Sequence, residues 1–309
     1  MIIGFDIGGT MIKGAAVSSL DAVGPVRRLP TPGNDFEAFA AALRSVIAEN
    51  GTKPNCVAIA IAGVIDPDSR RAICANIPCV HGRTIEADLE KALGLPVVIA
   101  NDADCFALAE AVAGAGRGHP IVFGTILGTG VGGGLVARGK LINASGGFAG
   151  EWGHGPVAAM LAGDPPVAIP RLRCGCGLEG CLDATVSARG MERLHAHLHN
   201  GAVLTAEAIL AAWQAGDTDA TRTIGVFVDI LASPLAMVVN VTGATIVPVG
   251  GGLSNSEALV AELDRAVRAR VLRRFERPLV VRGACRIEPG LIGAAILGLE
   301  RAGHALRTA

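Results

Sequence analysis

The sequence carries almost no net charge. Its 27 Lys and Arg stand against 28 Asp and Glu, a formal charge of −1. No global field therefore draws it to nucleic acid or to an anionic membrane, any polyanion must be held by a local site, and the expected ligands are small. No leader segment is expected either. "MIIGFDIGGT" has no basic n-region and sets Asp6 where an apolar run would be needed, which is unlike a secretory signal, and the expected setting is the cytoplasm. Nor is a membrane span expected. Residues 224–249 form one long apolar stretch, but it contains Asp229, Pro234, Asn240 and Gly243. A charged Asp costs about 2.5–3.5 kcal/mol near a bilayer centre, so a buried helix followed by a strand is expected there. No solenoid repeat and no low-complexity linker is present.

What is present is a chain of 309 residues, half of them hydrophobic. That is enough to bury a large core, and the length suggests two domains. In a reducing compartment its eight cysteines argue against a disulfide framework. Cys56, Cys74, Cys79, Cys105 and Cys285 lie in apolar contexts and read as buried thiols. Cys174, Cys176 and Cys181 differ: "CGCGLEGC" places three thiols in eight residues, with a glycine after each of the first two. Such a loop can turn three thiolates inward, and structural zinc is nearly always tetrahedral, so a fourth ligand is wanted. His154 in "GEWGHG" is the nearest histidine upstream, while His195, His197 and His199 lie in a polar segment that reads as an exposed helix end. A Cys3His set through His154 is favoured over unrelated thiols.

Two glycine-tipped turns form the next signal. "IIGFDIGGTMIKGAAV" reads as strand, Gly-Gly-Thr turn and strand. Gly8 and Gly9 would let backbone N–H groups approach an anion, Thr10 adds a hydroxyl, and Asp6 could hold Mg²⁺ through water; an ordinary hairpin turn reads the same. Gly128-Thr129-Gly130-Val131-Gly132-Gly133 formally matches G-x-G-x-x-G, but a dinucleotide fingerprint should open a helix. Here "GGLVARGKLI" continues as strand, Arg-Gly-Lys turn and strand, which is a second hairpin. Two such hairpins fit two phosphate loops holding a nucleoside triphosphate. Between them, "LPVVIANDADCFALAEA" runs from a strand at residues 96–100 through Asn101 and Asp102 into a helix. A carboxylate at the C-terminal end of a strand stands where α/β sheets place ligands. Helix capping is the commoner task for Asp at such a position, whereas an amide beside an acid suits a sugar hydroxyl.

Taken in order, "FDIGGT", "NDADCFALAEA", "ILGTGVGGGL", "GEWGH", "RCGCGLEGCLD" and "VPVGGGLSN" resemble the ROK family (repressors, open reading frames and kinases) along essentially the whole chain. The resemblance implies an α/β, two-lobed actin-like ATPase (ribonuclease H-like) fold with a structural zinc loop. It implies ATP-dependent phosphorylation of N-acetyl-D-glucosamine, with another hexose (glucose, mannose or N-acetylmannosamine) or a non-catalytic sugar sensor as alternatives. ATP, Mg²⁺ and a structural Zn²⁺ are the implied cofactors. Gly8, Gly9, Thr10, Gly128, Thr129, Gly130 and Gly132 would hold the phosphates and Gly250, Gly251 and Gly252 would flank the nucleoside. Asp102 would be the catalytic base. Gly63, Asn76, Asn101, Asp102, Glu151, His154 and Asp183 would meet the sugar, and His154, Cys174, Cys176 and Cys181 would bind the metal. A homodimer is usual in the family.

Three positions depart from the family pattern. Asp183 stands where the motif usually has a Glu that contacts the sugar, Met11 replaces a frequent Lys, and Ala62 replaces a common Pro before Gly63. The remaining segments fit two lobes, 1–118 plus 290–309 and 119–289. A helix is expected over 34–50 with Asn34 and Glu37 as a capping pair and Gly51 as its stop, and another after Ser254 and Glu257. A last helix is expected near 290–302. The basic run "RAVRARVLRRFERP" reads as a solvated helix face. Repressors of the family carry an additional N-terminal winged helix-turn-helix, whereas this phosphate hairpin begins at residue 2, so no nucleic-acid partner is expected.

Overall fold

The computed structural model describes residues 1–51, 53–285 and 288–303; Thr52 and residues 304–309, both within the expected first lobe, lie outside it. The chain divides into two compact units, one comprising 1–118, 134–149 and 285–309, the other 119–133 and 150–284.

The first unit is built on β1 (Ile2–Ile7) and β2 (Met11–Ser19). They pair antiparallel with Asp6 opposite Lys13 and Ile7 opposite Ile12, the expected hairpin. The short strands β3 (Ala22–Val23) and β4 (Arg27–Pro30) extend it beyond β2. On the other side β5 (Val57–Ile61) runs parallel to β1. A ribbon of β6 (Val64–Ile65) and β7 (Ala72–Ile73) follows, and β8 (Val97–Asn101) closes the sheet, parallel to β5. Side chains along β1 alternate, as strand geometry requires. Ile3, Phe5 and Ile7 enter a core with Phe39 and Leu43 of α1 (Phe36–Ala48) and Ile85 and Leu89 of α2 (Ile85–Leu93). On the opposite face, Ile2, Gly4 and Asp6 lie against the C-terminal helix, Pro289–Arg301, at Gly298, Leu291 and Gly290.

That helix crosses α3 (Asp102–Ala113). A Cβ on Gly293 would come within 1.9 Å of the Cys105 carbonyl oxygen, so only glycine permits this approach. Cys56, Cys74 and Cys105 are buried as expected, whereas Cys79 and Cys285 are half-buried. Burial pushes the Cys285 thiol up to about 11.

In the second unit β9 (Ile121–Leu127) pairs with β14 (Val247–Gly250), and β14 in turn with β15 (Val280–Arg282), all parallel. β10 (Val131–Ala137) starts in this unit beside β9 and runs on into the first. There it turns through Arg138 and Gly139, both at positive φ, to β11 (Lys140–Leu141). A ribbon of β12 (Leu161–Ala162) and β13 (Val167–Ala168) precedes α4 (Leu182–Val186) and α5 (Ala188–Leu198). Then come α6 (Ala206–Gln214), α7 (Thr218–Thr242) and α8 (Glu257–Arg268).

The apolar stretch at 224–249 is the expected helix and strand. By length and composition α7 could cross a membrane, and 56% of its most apolar window is buried within the protein; Ile224, Phe227, Leu231 and Leu235 are among the buried residues. Gly243 ends it in the left-handed region, φ 70°, the usual glycine stop.

Two caps differ from expectation. Asp35, not Asn34, caps α1, accepting from the N–H groups of Glu37 and Ala38. Adjacent Asn and Asp are equivalent in sequence, and the one whose carboxylate reaches the free N–H groups wins. Likewise Ser256, not Ser254, caps α8, because Ser254 lies in a 3-10 turn, Gly252–Asn255. His195 also departs from its expected exposure. It is buried, with Nδ1 2.8 Å from the Thr223 hydroxyl of α7, whereas His197 is exposed. The basic run begins on the exposed side of α8 at Arg265, which pairs with Glu262.

Candidate functional site

The residues singled out in the sequence fall into two groups, each held within its own unit. In the first unit the Gly8-Gly9-Thr10 turn is pinned by Thr31: its hydroxyl donates to the Gly8 carbonyl at 2.7 Å and its N–H to the Thr10 carbonyl at 3.1 Å. Gly9 abuts Asn76, whose carbonyl oxygen would lie 2.9 Å from a Cβ there; at Gly8 the nearest atom is 3.9 Å away. Asn76 itself is exposed. Gly63 is fixed by its neighbours as well, since a Cβ there would meet the Ile73 carbonyl oxygen at 2.7 Å.

Asp6 sits just before the glycine turn. Burial raises its carboxyl pKa, and Lys13, 3.2 Å away, offsets part of that rise. Burial works against the Lys13 ammonium as well, but Glu288 at 2.6 Å and Asp6 outweigh it and the lysine pKa rises. Glu288 also takes Arg28 at 2.5 Å. This cluster was not anticipated. The Gly8-Gly9-Thr10 turn sets Asp6 opposite Lys13 in the hairpin register, whereas the return of Glu288 from the other end of the chain leaves no local sign in the sequence.

Asn101 and Asp102 occupy the junction of β8 and α3. Asn101 is the cap: its Oδ1 accepts from Ala103 N–H at 2.8 Å and Asp104 N–H at 3.2 Å, and its Nδ2 donates to the Gly63 carbonyl at 3.0 Å. The Asn101 oxygen thus serves the helix and only its N–H side remains for a ligand, beside the acid of Asp102. Asp102 is not the cap. It is the first helical residue, half-buried, and its Oδ1 accepts from Ala103 N–H at 2.9 Å.

In the second unit the glycine turn between β9 and β10 closes on itself, Gly128 N–H donating to the Gly130 carbonyl at 3.0 Å. A Cβ at Gly128 would lie 3.7 Å from Gly251 Cα and Gly252 N, so the phosphate-loop and nucleoside candidates are neighbours. Gly251 has φ 82° and no room for a Cβ, which would lie 2.4 Å from the Leu127 carbonyl oxygen. The Gly132 carbonyl accepts from Thr125 at 3.1 Å and from the Trp152 indole at 3.0 Å, while Thr129 is exposed at the tip.

The four proposed metal ligands meet in the same unit. Ligand atoms of His154, Cys174, Cys176 and Cys181 all lie within 4.8 Å of one another. Cys174 Sγ is 3.6 Å from His154 Nδ1, and Cys176 Sγ is 3.7 Å from Cys181 Sγ. Zinc–sulfur bonds of about 2.3 Å in a tetrahedron require sulfurs about 3.8 Å apart, so the spacing fits. The donor chemistry fits as well. Backbone N–H groups of Cys176, Leu178 and Gly155 donate to Cys174, Cys176 and Cys181 respectively, which favours thiolates. Against this, burial pushes the Cys174 thiol up to about 12, a proton that a bound cation would displace.

His154 presents Nδ1 to the sulfurs and Nε2 toward Glu151, 3.9 Å from Oε2. Burial raises the Glu151 carboxyl pKa, His154 lowers it and Asp183 adds to the rise. The Asp183 carboxylate is itself engaged within the unit: Oδ1 accepts from Val131 N–H at 2.8 Å and Oδ2 lies 3.6 Å from Cys174 Sγ.

The ROK family profile matches residues 2–301. The chain is 39% identical over 305 residues to the N-acetylgalactosamine kinase of Shewanella sp. (strain ANA-3), covering 96% of each chain. To an N-acetyl-D-glucosamine kinase of Yersinia pseudotuberculosis it is 37% identical over 307 residues, covering 97% of this chain and 99% of the relative. Among solved structures, a ROK family glucokinase from Streptomyces griseus in complex with glucose and AMPPNP is 28% identical, with a TM-score of 0.74 and coverage of 97% and 99%. The chain belongs to the ROK family, and its mixed α/β architecture is the actin-like ATPase fold of that family's sugar kinases.

Proposed function

We propose that this protein is a sugar kinase that transfers the γ-phosphoryl group of ATP to the 6-hydroxyl of N-acetyl-D-glucosamine. The observation that carries the reading is the Asp102 carboxylate, which follows the Asn101 cap at the C-terminal end of β8, in a family member whose curated relatives are named as amino-sugar kinases.

Phosphoryl transfer leaves the protein little covalent work, so catalysis rests on positioning and on donors for the spreading charge. Asp102 accepts the proton of the sugar hydroxyl as its oxygen bonds to phosphorus, and the bond from phosphorus to the β-phosphate oxygen breaks to release ADP. Backbone N–H groups of Gly8, Gly9, Thr10, Gly128, Thr129, Gly130 and Gly132 hold the phosphates, with Gly250, Gly251 and Gly252 beside the nucleoside. Asp6 would hold Mg²⁺, which would supply charge neutralisation at the phosphates. Asn101, Glu151 and His154 hold the sugar, with Gly63 and Asn76 shaping its surroundings. His154, Cys174, Cys176 and Cys181 would hold a structural Zn²⁺, which would fix the histidine ring and leave Nε2 as a donor three residues from Glu151. The enzyme works in the cytoplasm as a homodimer, with no nucleic-acid or membrane partner.

A second reading has its own support, for the relative named as an N-acetylgalactosamine kinase is as similar as the N-acetyl-D-glucosamine kinases. Coupled ADP release across N-acetylglucosamine, N-acetylgalactosamine, N-acetylmannosamine, glucose and mannose separates the readings. The highest kcat/KM is expected for N-acetylglucosamine; a sugar that binds without turnover would make the chain a sensor.

The glycine turn offers a clean companion test. Because a Cβ at Gly8 would meet nothing closer than the Met11 carbonyl oxygen at 3.9 Å, whereas at Gly9 it would meet Asn76 at 2.9 Å, Gly8→Val should raise KM for ATP about tenfold or more while moving KM for sugar little, since the branch blocks only anion approach. Gly9→Val should disturb both substrates through Asn76. Equal effects of Gly8→Val on both would remove Gly8 from the phosphate site.

A further inference from the structure

Asp183 stands where the family motif usually has a sugar-contacting Glu, and the side chain one methylene shorter is tied elsewhere. Its Oδ1 accepts from Val131 N–H at 2.8 Å, directly after the glycine turn, and a Cβ added to Gly130 would lie only 2.5 Å from that same oxygen. Its Oδ2 lies 3.6 Å from Cys174 Sγ. Its own N–H donates to the Gly153 carbonyl at 2.9 Å, and five residues on, Ala188 N–H donates to the Gly128 carbonyl at 2.8 Å. The turn is therefore gripped at both ends by the segment that leaves the cysteine loop, at Gly128 by backbone and at Val131 by the Asp183 carboxylate.

We propose that Asp183 is a positioning residue of the nucleotide loop rather than a sugar ligand, and that through it the Cys3His cluster sets the conformation in which residues 128–131 present their N–H groups. The inference rests on the kinase reading for the identity of the loop's ligand. An ionised hydrogen-bond acceptor is roughly twice as strong as a neutral one, and here it fixes the residue that closes the turn. Asp183 follows the last cysteine of the cluster by two residues and its N–H holds the Gly153 carbonyl beside His154, so the metal that orders the cluster also orders Asp183, and metal occupancy and loop geometry are coupled through the backbone. In this chain the metal then serves the nucleotide as well as the sugar.

The test is calorimetric binding of AMPPNP with Mg²⁺, and separately of N-acetylglucosamine, to the zinc-loaded full-length protein and its variants. Asp183→Ala is expected to weaken AMPPNP binding by about tenfold or more, the worth of one charge-assisted hydrogen bond, and sugar binding by less than about twofold. Asp183→Asn, which keeps an acceptor for Val131 N–H, is expected to recover most of the AMPPNP affinity. Amide exchange adds a readout independent of turnover: Val131 N–H should exchange faster in Asp183→Ala and stay protected in Asp183→Asn. Chelation of zinc should weaken AMPPNP binding in wild type and have little further effect in Asp183→Ala. The proposal is overturned if Asp183→Ala loses sugar affinity and keeps that for AMPPNP, or if both variants behave alike. A wild-type protein that binds no AMPPNP at all would instead remove the kinase reading, so the two failures are distinguishable.

Discussion

Asp102→Asn is expected to lower kcat by about 10² to 10⁴, the usual worth of general-base catalysis, or about 3 to 5 kcal/mol of barrier. The variant should fold normally. Its side-chain oxygen can still accept from Ala103 N–H, the contact Asp102 makes at 2.9 Å, and the cap belongs to Asn101. Neither neighbouring strand nor helix is asked to change. Sugar binding should be kept, and steady-state ADP release, with thermal unfolding and sugar binding measured on the same preparation, checks all three points. Turnover near wild type would reduce Asp102 to a binding residue and end the proposed mechanism.

Loss of the metal should be the other large effect. Purified protein is expected to hold about one zinc per chain, because one Cys3His set makes one tetrahedral site. Cys176→Ser should lose it, and elemental analysis reads this directly. Without the metal His154 and Glu151 are no longer held, and sugar affinity should fall by about 10 to 100-fold, the range seen when the supports of a site are removed. Nucleotide affinity should fall by the amount carried through Asp183, and the melting temperature by several degrees, as about 1 kcal/mol lost corresponds to about 2–4 °C in a domain of 150–250 residues. Replacing zinc by cobalt should leave kcat within a few-fold, since a positioning metal stays clear of the reacting atoms, whereas a Lewis acid would change it strongly. A zinc-free protein with normal sugar affinity would remove the role assigned to the loop.

The features legible in the sequence were those fixed by a few neighbouring residues. Glycine tips between apolar runs gave both hairpins, with Asp6 and Lys13 in register, and the change from "VVIA" to "NDADCF" located the junction of β8 and α3. Three cysteines in eight residues announced a cluster, and the structure places His154 with them. Cap identity was less legible, because Asn34 and Asp35, or Ser254 and Ser256, are chemically alike, and the choice rests on which side chain reaches an open N–H. His195 was misjudged because its charged neighbours hid a helical face directed at Thr223. Contacts between distant segments were beyond reach altogether. Val131 and Asp183 are 52 residues apart, Lys13 and Glu288 are 275 apart, and neither segment carries a sign of the other.

In the proposed mechanism the double use of Asn101 would fix the direction of proton donation at the sugar. Its oxygen is committed to two helix N–H groups and one amide hydrogen to the Gly63 carbonyl, so toward a ligand the side chain can only give. Any hydroxyl it holds must receive there and point its own hydrogen elsewhere, and the next residue along the chain is the carboxylate that can only take. One amide thus separates two demands that usually compete. Asp at position 101 would cap α3 equally well, for Asp and Asn rank alike as caps, yet it would bring a second acceptor where a giver is required. Helix stability would tolerate that exchange; the orientation of the sugar hydroxyl would not.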